Sequence, residues 1–135
     1  MSTAIVIDND YDTVTSFSDY LELMQVQVVG KGYDGKEAVE LYQKLRPDII
    51  FLDVMMPLYD GFYALEKIRQ TNPAAVVIMV TEDLTSDTED RSRKLKASAI
   101  VYKPYDINKI MGIVHGAVST QIQASIMQQG QVTSR

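Results

Sequence analysis

Five short apolar runs recur along the chain, at residues 4–7, 26–29, 49–53, 75–80 and 100–102, and each ends in a polar or glycine-containing turn. Continuous Ile- and Val-rich runs of this length, without polar alternation, read as strands buried on both faces, as in a parallel sheet. The turns that follow them are Asp8-Asn9-Asp10, Gly30-Lys31-Gly32, Asp53 with Val54-Met55-Met56-Pro57, Thr81-Glu82-Asp83 and Lys103-Pro104.

Helices fill the intervals. Val14, Phe17, Leu21 and Met24 recur at steps of three and four, as do Ala38, Leu41, Tyr42 and Leu45, then Phe62, Leu65 and Ile68, and finally Ile107, Ile110, Met111, Val114 and Val118. That spacing lines one face of a helix. Asp10 or Asp12, Asp34 and Asp106 are the expected N-caps, and Pro47 and Asn72-Pro73 the expected stops. The fourth helix, expected over 84–97, is the poorest, with Leu84 and Leu95 its only large apolar residues.

Strict β-α alternation predicts an α/β fold in which helices cover both faces of a parallel sheet. Five strands with right-handed crossovers suit the doubly wound, flavodoxin-like (βα)5 arrangement of order 2-1-3-4-5, whose switch point lies between strands one and three. In that order Asp8, Asn9 and Asp10 face Asp53 across one crevice. Thr81 and Lys103 end the next two strands.

Composition narrows the chemistry. The chain has 135 residues, 46% of them hydrophobic and 23% charged, so one ordinary globular domain is expected. There is no cysteine, which rules out disulfides and thiolate metal sites. The net charge is −5, with no basic face for nucleic acid, and Arg91, Arg93, Lys94 and Lys96 read as a solvated run. No segment has the length and apolarity of a membrane span or the pattern of a signal peptide.

Two or three carboxylates, an amide, a hydroxyl and an ammonium in one crevice call for a cation. Like charges a few Å apart repel by roughly 4 kcal/mol in a surface-like dielectric. Oxygen donors without His or Cys suit magnesium, which takes one or two carboxylates plus phosphate oxygen. A carboxylate beside such an ion can attack phosphorus. The acyl phosphate formed needs metal, ammonium and hydroxyl around its oxygens.

On these residues the chain resembles the receiver domains of two-component response regulators, over about residues 3–120. The acidic pair follows strand one. The frame Asp53-x-x-Met56-Pro57-x-x-Asp60-Gly61 stands 45 residues after Asp8, Thr81 follows after 28 and Lys103-Pro104 after another 22. The resemblance implies that Asp53 is the phosphoacceptor and that Asp8, Asn9, Asp53 and the Met55 carbonyl hold Mg²⁺. It further implies that Thr81 and Lys103 serve the phosphoryl oxygens and that the Lys103–Pro104 bond is cis.

The partners so implied are a histidine kinase or phosphotransfer protein and a downstream protein target, in the cytoplasm. Homodimerisation on phosphorylation is a further implied possibility. The domain is expected over 1–120, with 121–135 as a helix extension or tail and no effector domain.

Four positions depart from the family pattern. Asn9 replaces the second acid, leaving the site one charge short; it is read either as a metal ligand or as an Asx-turn residue. Glu82 follows Thr81 where a small residue is usual. Ile100 stands where many relatives carry an inward-turning aromatic, with Tyr102 and Tyr105 as substitutes. Ser98 replaces a frequent glycine in the turn before strand five, at a cost of roughly 1 kcal/mol if that turn needs φ > 0. Asn9, Glu82 and Ile100 leave a pseudo-receiver that signals without phosphorylation as the rival reading. A flavin-binding or enzymatic use of the fold would want a Ser-, Thr- or Gly-rich phosphate loop after strand one, not Asp8-Asn9-Asp10-Tyr11-Asp12.

Overall fold

Nine elements alternate through the first part of the chain: β1 (Thr3–Ile7), α1 (Tyr11–Leu23), β2 (Gln27–Gly32), α2 (Gly35–Leu45), β3 (Ile49–Asp53), α3 (Gly61–Thr71), β4 (Val76–Thr81), α4 (Ser86–Lys94) and β5 (Ala99–Tyr102). The structure is a computed structural model and describes residues 1–104 and 108–116. The chain divides into two units, Met1–Tyr105 and Asp106–Arg135. In the second unit residues 108–116 are helical, as the spacing of Ile110, Met111 and Val114 predicts. The expectations for Tyr105, Asp106, Ile107, Val118 and 121–135 fall outside the described residues.

The sheet is parallel throughout, in the order β2-β1-β3-β4-β5. This is the expected flavodoxin-like arrangement. Alternate residues of each strand face opposite sides. Ile5, Ile7, Ile50, Leu52, Val77 and Met79 pack with Ala38 and Tyr42 of α2 and with Phe62, Leu65 and Ile68 of α3. On the other face Phe17 of α1 meets Phe51 edge to face, with ring centroids 4.9 Å apart. At the lower end Thr3 and Asp48 clamp β1 to the start of β3: the Thr3 amide donates to Asp48 Oδ2 (2.8 Å) and the Asp48 amide to Thr3 Oγ1 (3.0 Å).

Three local expectations are corrected. The Gly30-Lys31-Gly32 stretch does not break the second strand. It is the strand, paired with Ile5, Val6 and Ile7 after a bulge that leaves Val29 unpaired. A Cβ on Gly32 would lie 2.8 Å from Ile7 Cδ1 and 3.1 Å from Leu41 Cδ1, so glycine lets α2 lie close on this edge.

The fourth helix begins at Ser86, capped by the Thr85 hydroxyl, and Leu84 lies outside it with 73% of its surface exposed. The only left-handed residue in the turn before β5 is Lys96 (φ 64°), not Ser98. Ser98 instead joins the ladder. Its amide donates to the Val77 carbonyl (2.8 Å), and its Oγ accepts from the Val77 amide (3.0 Å) and from Arg69 (3.2 Å). Arg69 also donates to the carbonyls of Ala75 and Lys96, so α3 holds this turn in place.

Candidate functional site

Asp8, Asp53, Thr81 and Lys103 each stand at or just past the C-terminal end of a strand, and the parallel sheet brings these ends to one edge. Asp8 follows β1 and is buried, its amide donating to the Gly32 carbonyl (3.2 Å). Asp53 and Thr81 are the last residues of β3 and β4 and are also buried. The Lys103 amide donates to the Thr81 carbonyl (2.8 Å), which continues the β4–β5 ladder by one bond. The Lys103–Pro104 peptide is cis.

The Lys103 ammonium bridges the two acids, 2.7 Å from Asp8 Oδ2 and 4.0 Å from Asp53 Oδ1. Asp8 Oδ1 accepts from the Asp10 amide (2.9 Å). Asp8 is thus held at both oxygens, whereas Asp53 is held more loosely, by the ammonium at its outer limit, a long bond from the Met55 amide (3.4 Å) and the Val54 amide. Burial, and then the charge of Asp8, push the Asp53 carboxyl up to about 6 against the pull of Lys103. Burial works to lower Lys103, but the Asp8 hydrogen bond and the charges of Asp53, Asp8 and Glu82 outweigh it and raise it.

The remaining candidates sort themselves by contact. The Asx turn after β1 belongs to Asp8, not Asn9, which is exposed and makes no hydrogen bond among the described residues. Asn9 lines an open cleft of about 620 Å³ with Met55, Pro57, Asp83 and Arg91. Asp10 caps α1, accepting from the Asp12 amide (3.1 Å) and the Thr13 hydroxyl (2.8 Å), and so is spent on the helix. Met55 is 60% exposed. Glu82 is exposed, near enough to act on Lys103 by charge. Ile100 is partly buried against the core, and Tyr102 is partly buried at the end of β5.

The loop after β3 is shaped around the acid. The Gly61 amide donates to the Val54 carbonyl (2.9 Å), and a Cβ there would lie 2.3 Å from the Asp53 carbonyl oxygen. Only glycine lets α3 start this close behind the acid. Asp60 caps α3 through the Tyr63 amide (2.9 Å).

No three Asp, Glu, His or Cys side chains converge closely enough for a metal ion among the described residues. A divalent ion would therefore rest on two carboxylates plus neutral oxygens. The donor set fits magnesium: the Asp53 carboxylate is loosely held, the Asn9 amide makes no hydrogen bond among the described residues, and these donors are oxygens.

The residue that the sequence reading passed over is Asp83. Its amide donates to Thr81 Oγ1 (3.0 Å), and its carboxylate accepts from the Thr85 amide (2.9 Å) and the Thr88 hydroxyl (2.6 Å). The sequence signal was an acid two residues before a Thr cap, the mark of an Asx turn into a helix.

Comparison with known proteins bears on the family and the fold. The family described as "Response regulator receiver domain" matches residues 4–115. Protein CcdB of Bacillus subtilis is 31% identical over 114 residues, covering 84% of this chain and 95% of that protein. The transcriptional regulatory protein PdtaR of Mycobacterium tuberculosis is 36% identical over 93 residues, 69% of this chain but only 45% of that protein.

Among solved structures, a receiver domain protein (CheY-like) from Methanospirillum hungatei superposes with a TM-score of 0.86 at 19% identity, covering 92% of this chain and 98% of that one. A CheX-CheY-BeF3-Mg complex from Borrelia burgdorferi does so at 0.82 and 24%, covering 87% and 89%. These two show a shared fold. The match over residues 4–115, with a relative above 30% identity along nearly its whole length, assigns the family: the chain belongs to the receiver domains of two-component response regulators.

Proposed function

We propose that the chain accepts a phosphoryl group on Asp53 from the phosphohistidine of a histidine kinase or phosphotransfer protein and signals by contact with a downstream protein. The observation that carries this reading is the Lys103 ammonium set between Asp8 and Asp53 beside a buried Thr81 hydroxyl.

An oxygen of ionised Asp53 attacks phosphorus in line, forming the P–O bond as the P–N bond breaks. The electron pair of that bond stays on the departing imidazole nitrogen. Lys103, held at 4.0 Å from Asp53, moves onto a phosphoryl oxygen without leaving the crevice. Thr81 donates its hydroxyl proton to another. Asp8, Asn9, Asp53 and the Met55 carbonyl would hold magnesium, which supplies neutralisation of the charge that builds on the phosphoryl oxygens. With Asn9 in place of an acid the site carries one charge fewer, so weaker metal binding and slower phosphorylation are expected.

Intact mass after incubation with a small phosphodonor, with and without Mg²⁺, tests the reading on the wild type and on Asp53→Ala. A Mg²⁺-dependent adduct that the variant lacks supports it. A wild type that never takes up phosphate, even at short times, favours the pseudo-receiver. The exposed Glu82 carboxylate acting on Lys103 is the observation in that rival's favour.

A further inference from the structure

The switch position of this chain lacks its aromatic. Ile100 packs into the core cluster and has no polar group to follow a moving hydroxyl. Another connection joins Thr81 to the rest of the molecule.

Thr81 is fully buried, and its Oγ1 accepts from the Asp83 amide at 3.0 Å. That bond occupies one lone pair and turns the hydroxyl proton away from the loop. No described residue accepts that proton. From Asp83 the chain of bonds continues into α4. The carboxylate takes the Thr85 amide at 2.9 Å and the Thr88 hydroxyl at 2.6 Å, and one turn further the Ser92 hydroxyl donates to the Thr88 carbonyl at 2.8 Å. Thr88 and Ser92 are the buried residues of α4. The inward side of this helix is therefore joined to the site by oriented hydrogen bonds rather than by apolar packing. Hydrogen bonds have two discrete states, made or broken, which is what a transmitting element requires.

We infer that Asp83 is a positioning residue of the site: its amide aims the Thr81 hydroxyl, and its carboxylate, gripped by Thr88, couples that hydroxyl to α4 in place of the missing aromatic. When Thr81 swings its proton to a phosphoryl oxygen on Asp53, Oγ1 draws the Asp83 amide after it or lets it go. Either way the bond from Asp83 to Thr88 is put under load, and the first turn of α4 shifts. This rests on the reading above that Asp53 takes the phosphoryl group.

The test measures two things on the full chain with acetyl phosphate and Mg²⁺: adduct by intact mass, and hydrogen exchange of the Ser86–Lys94 amides with and without the donor. Thr88→Val keeps shape and removes the hydroxyl; Thr88→Ser retains it.

In the wild type the donor is expected to change α4 exchange by about fivefold or more, the scale of one net hydrogen bond. Thr88→Val is expected to take up phosphate normally while its α4 exchange no longer responds, with Thr88→Ser responding like the wild type. A Thr88→Val protein that is phosphorylated and responds like the wild type overturns this inference and leaves the phosphorylation reading standing. A wild type without adduct overturns both.

Discussion

Helix α3 turns Phe62, Ala64, Leu65 and Ile68 inward, whereas its neighbour α4 buries Thr88 and Ser92. The two helices touch where the Arg91 guanidinium lies 4.0 Å over the Phe62 ring. The start of α3 is pressed at Gly61 against the backbone of Asp53 at the end of β3, and its end reaches over to hold the turn before β5 through Arg69. By contrast, α4 follows the loop that leaves β4 at Thr81 and is tied to Thr81 through Asp83 by hydrogen bonds. Apolar burial is non-directional and scales with area, so α3 behaves as scaffold. A net hydrogen bond is worth about 1 kcal/mol, so α4 can change position at modest cost. One site thus sits between a fixed wall and a movable one.

The sharpest way to break this comparison is to weaken each wall in turn. Leu65→Ala should cost about 3 kcal/mol in chemical denaturation, as expected for a fully buried leucine beneath a helix. A loss under about 1 kcal/mol would show that α3 is not the scaffold described. Gly61→Ala should cost about 2 kcal/mol, because its Cβ meets the Asp53 carbonyl, and should slow phosphoryl uptake more than Leu65→Ala does. Equal uptake in the two variants would separate the glycine from the shape of the site.

The acid between the walls supplies a pH test. Asp53 is raised to about 6 chiefly by burial, so its protonated form is the one the fold favours. Its contribution to stability is complete below the unfolded carboxyl value and is lost as pH rises through about 6. Asp53→Asn should therefore stabilise the protein above that pH, on the order of 1 kcal/mol after solvent screening, and do little below the unfolded carboxyl range. Urea midpoints measured across pH 3.5–8, roughly the span of both values, would check the sign. Magnesium should diminish the gain in Asn, since it offsets the same penalty.

The smallest effect belongs to α4. Ser92→Ala removes a back-bond to the Thr88 carbonyl and gains helix propensity, so stability should stay within about 1 kcal/mol of the wild type. A much larger loss would make α4 a scaffold like its neighbour.

Much of this is legible in the sequence. The fivefold alternation predicted the sheet order, and residue type with spacing predicted which side chains stand at the strand ends. Both follow from local periodicity, which backbone geometry enforces residue by residue. The errors fell where tertiary contact overrode local preference. Gly30-Lys31-Gly32 looks like a break in isolation and becomes a strand because α2 needs the space that Gly32 leaves. Ser98 looked like a strained replacement for glycine, yet the left-handed residue is Lys96, and the Ser98 hydroxyl is used by Val77 and Arg69.

Asp10 and Asn9 show the same division within the site. Sequence alone left Asn9 open as metal ligand or turn residue and Asp10 as crevice acid or helix cap, since an Asp or Asn after a strand serves either use. The tertiary structure commits Asp10 to the cap of α1 and leaves the Asn9 amide facing the cleft. The bond from Asp83 to Thr88 spans five residues, within reach of sequence, but that the Asp83 amide meets the Thr81 hydroxyl came only from the structure. What sequence determined was the order of the strands and the inventory of the crevice, because those depend on spacing along one chain. What tertiary structure decided was which oxygen faces which partner, because orientation arises only when separate strand ends and helix starts are packed together.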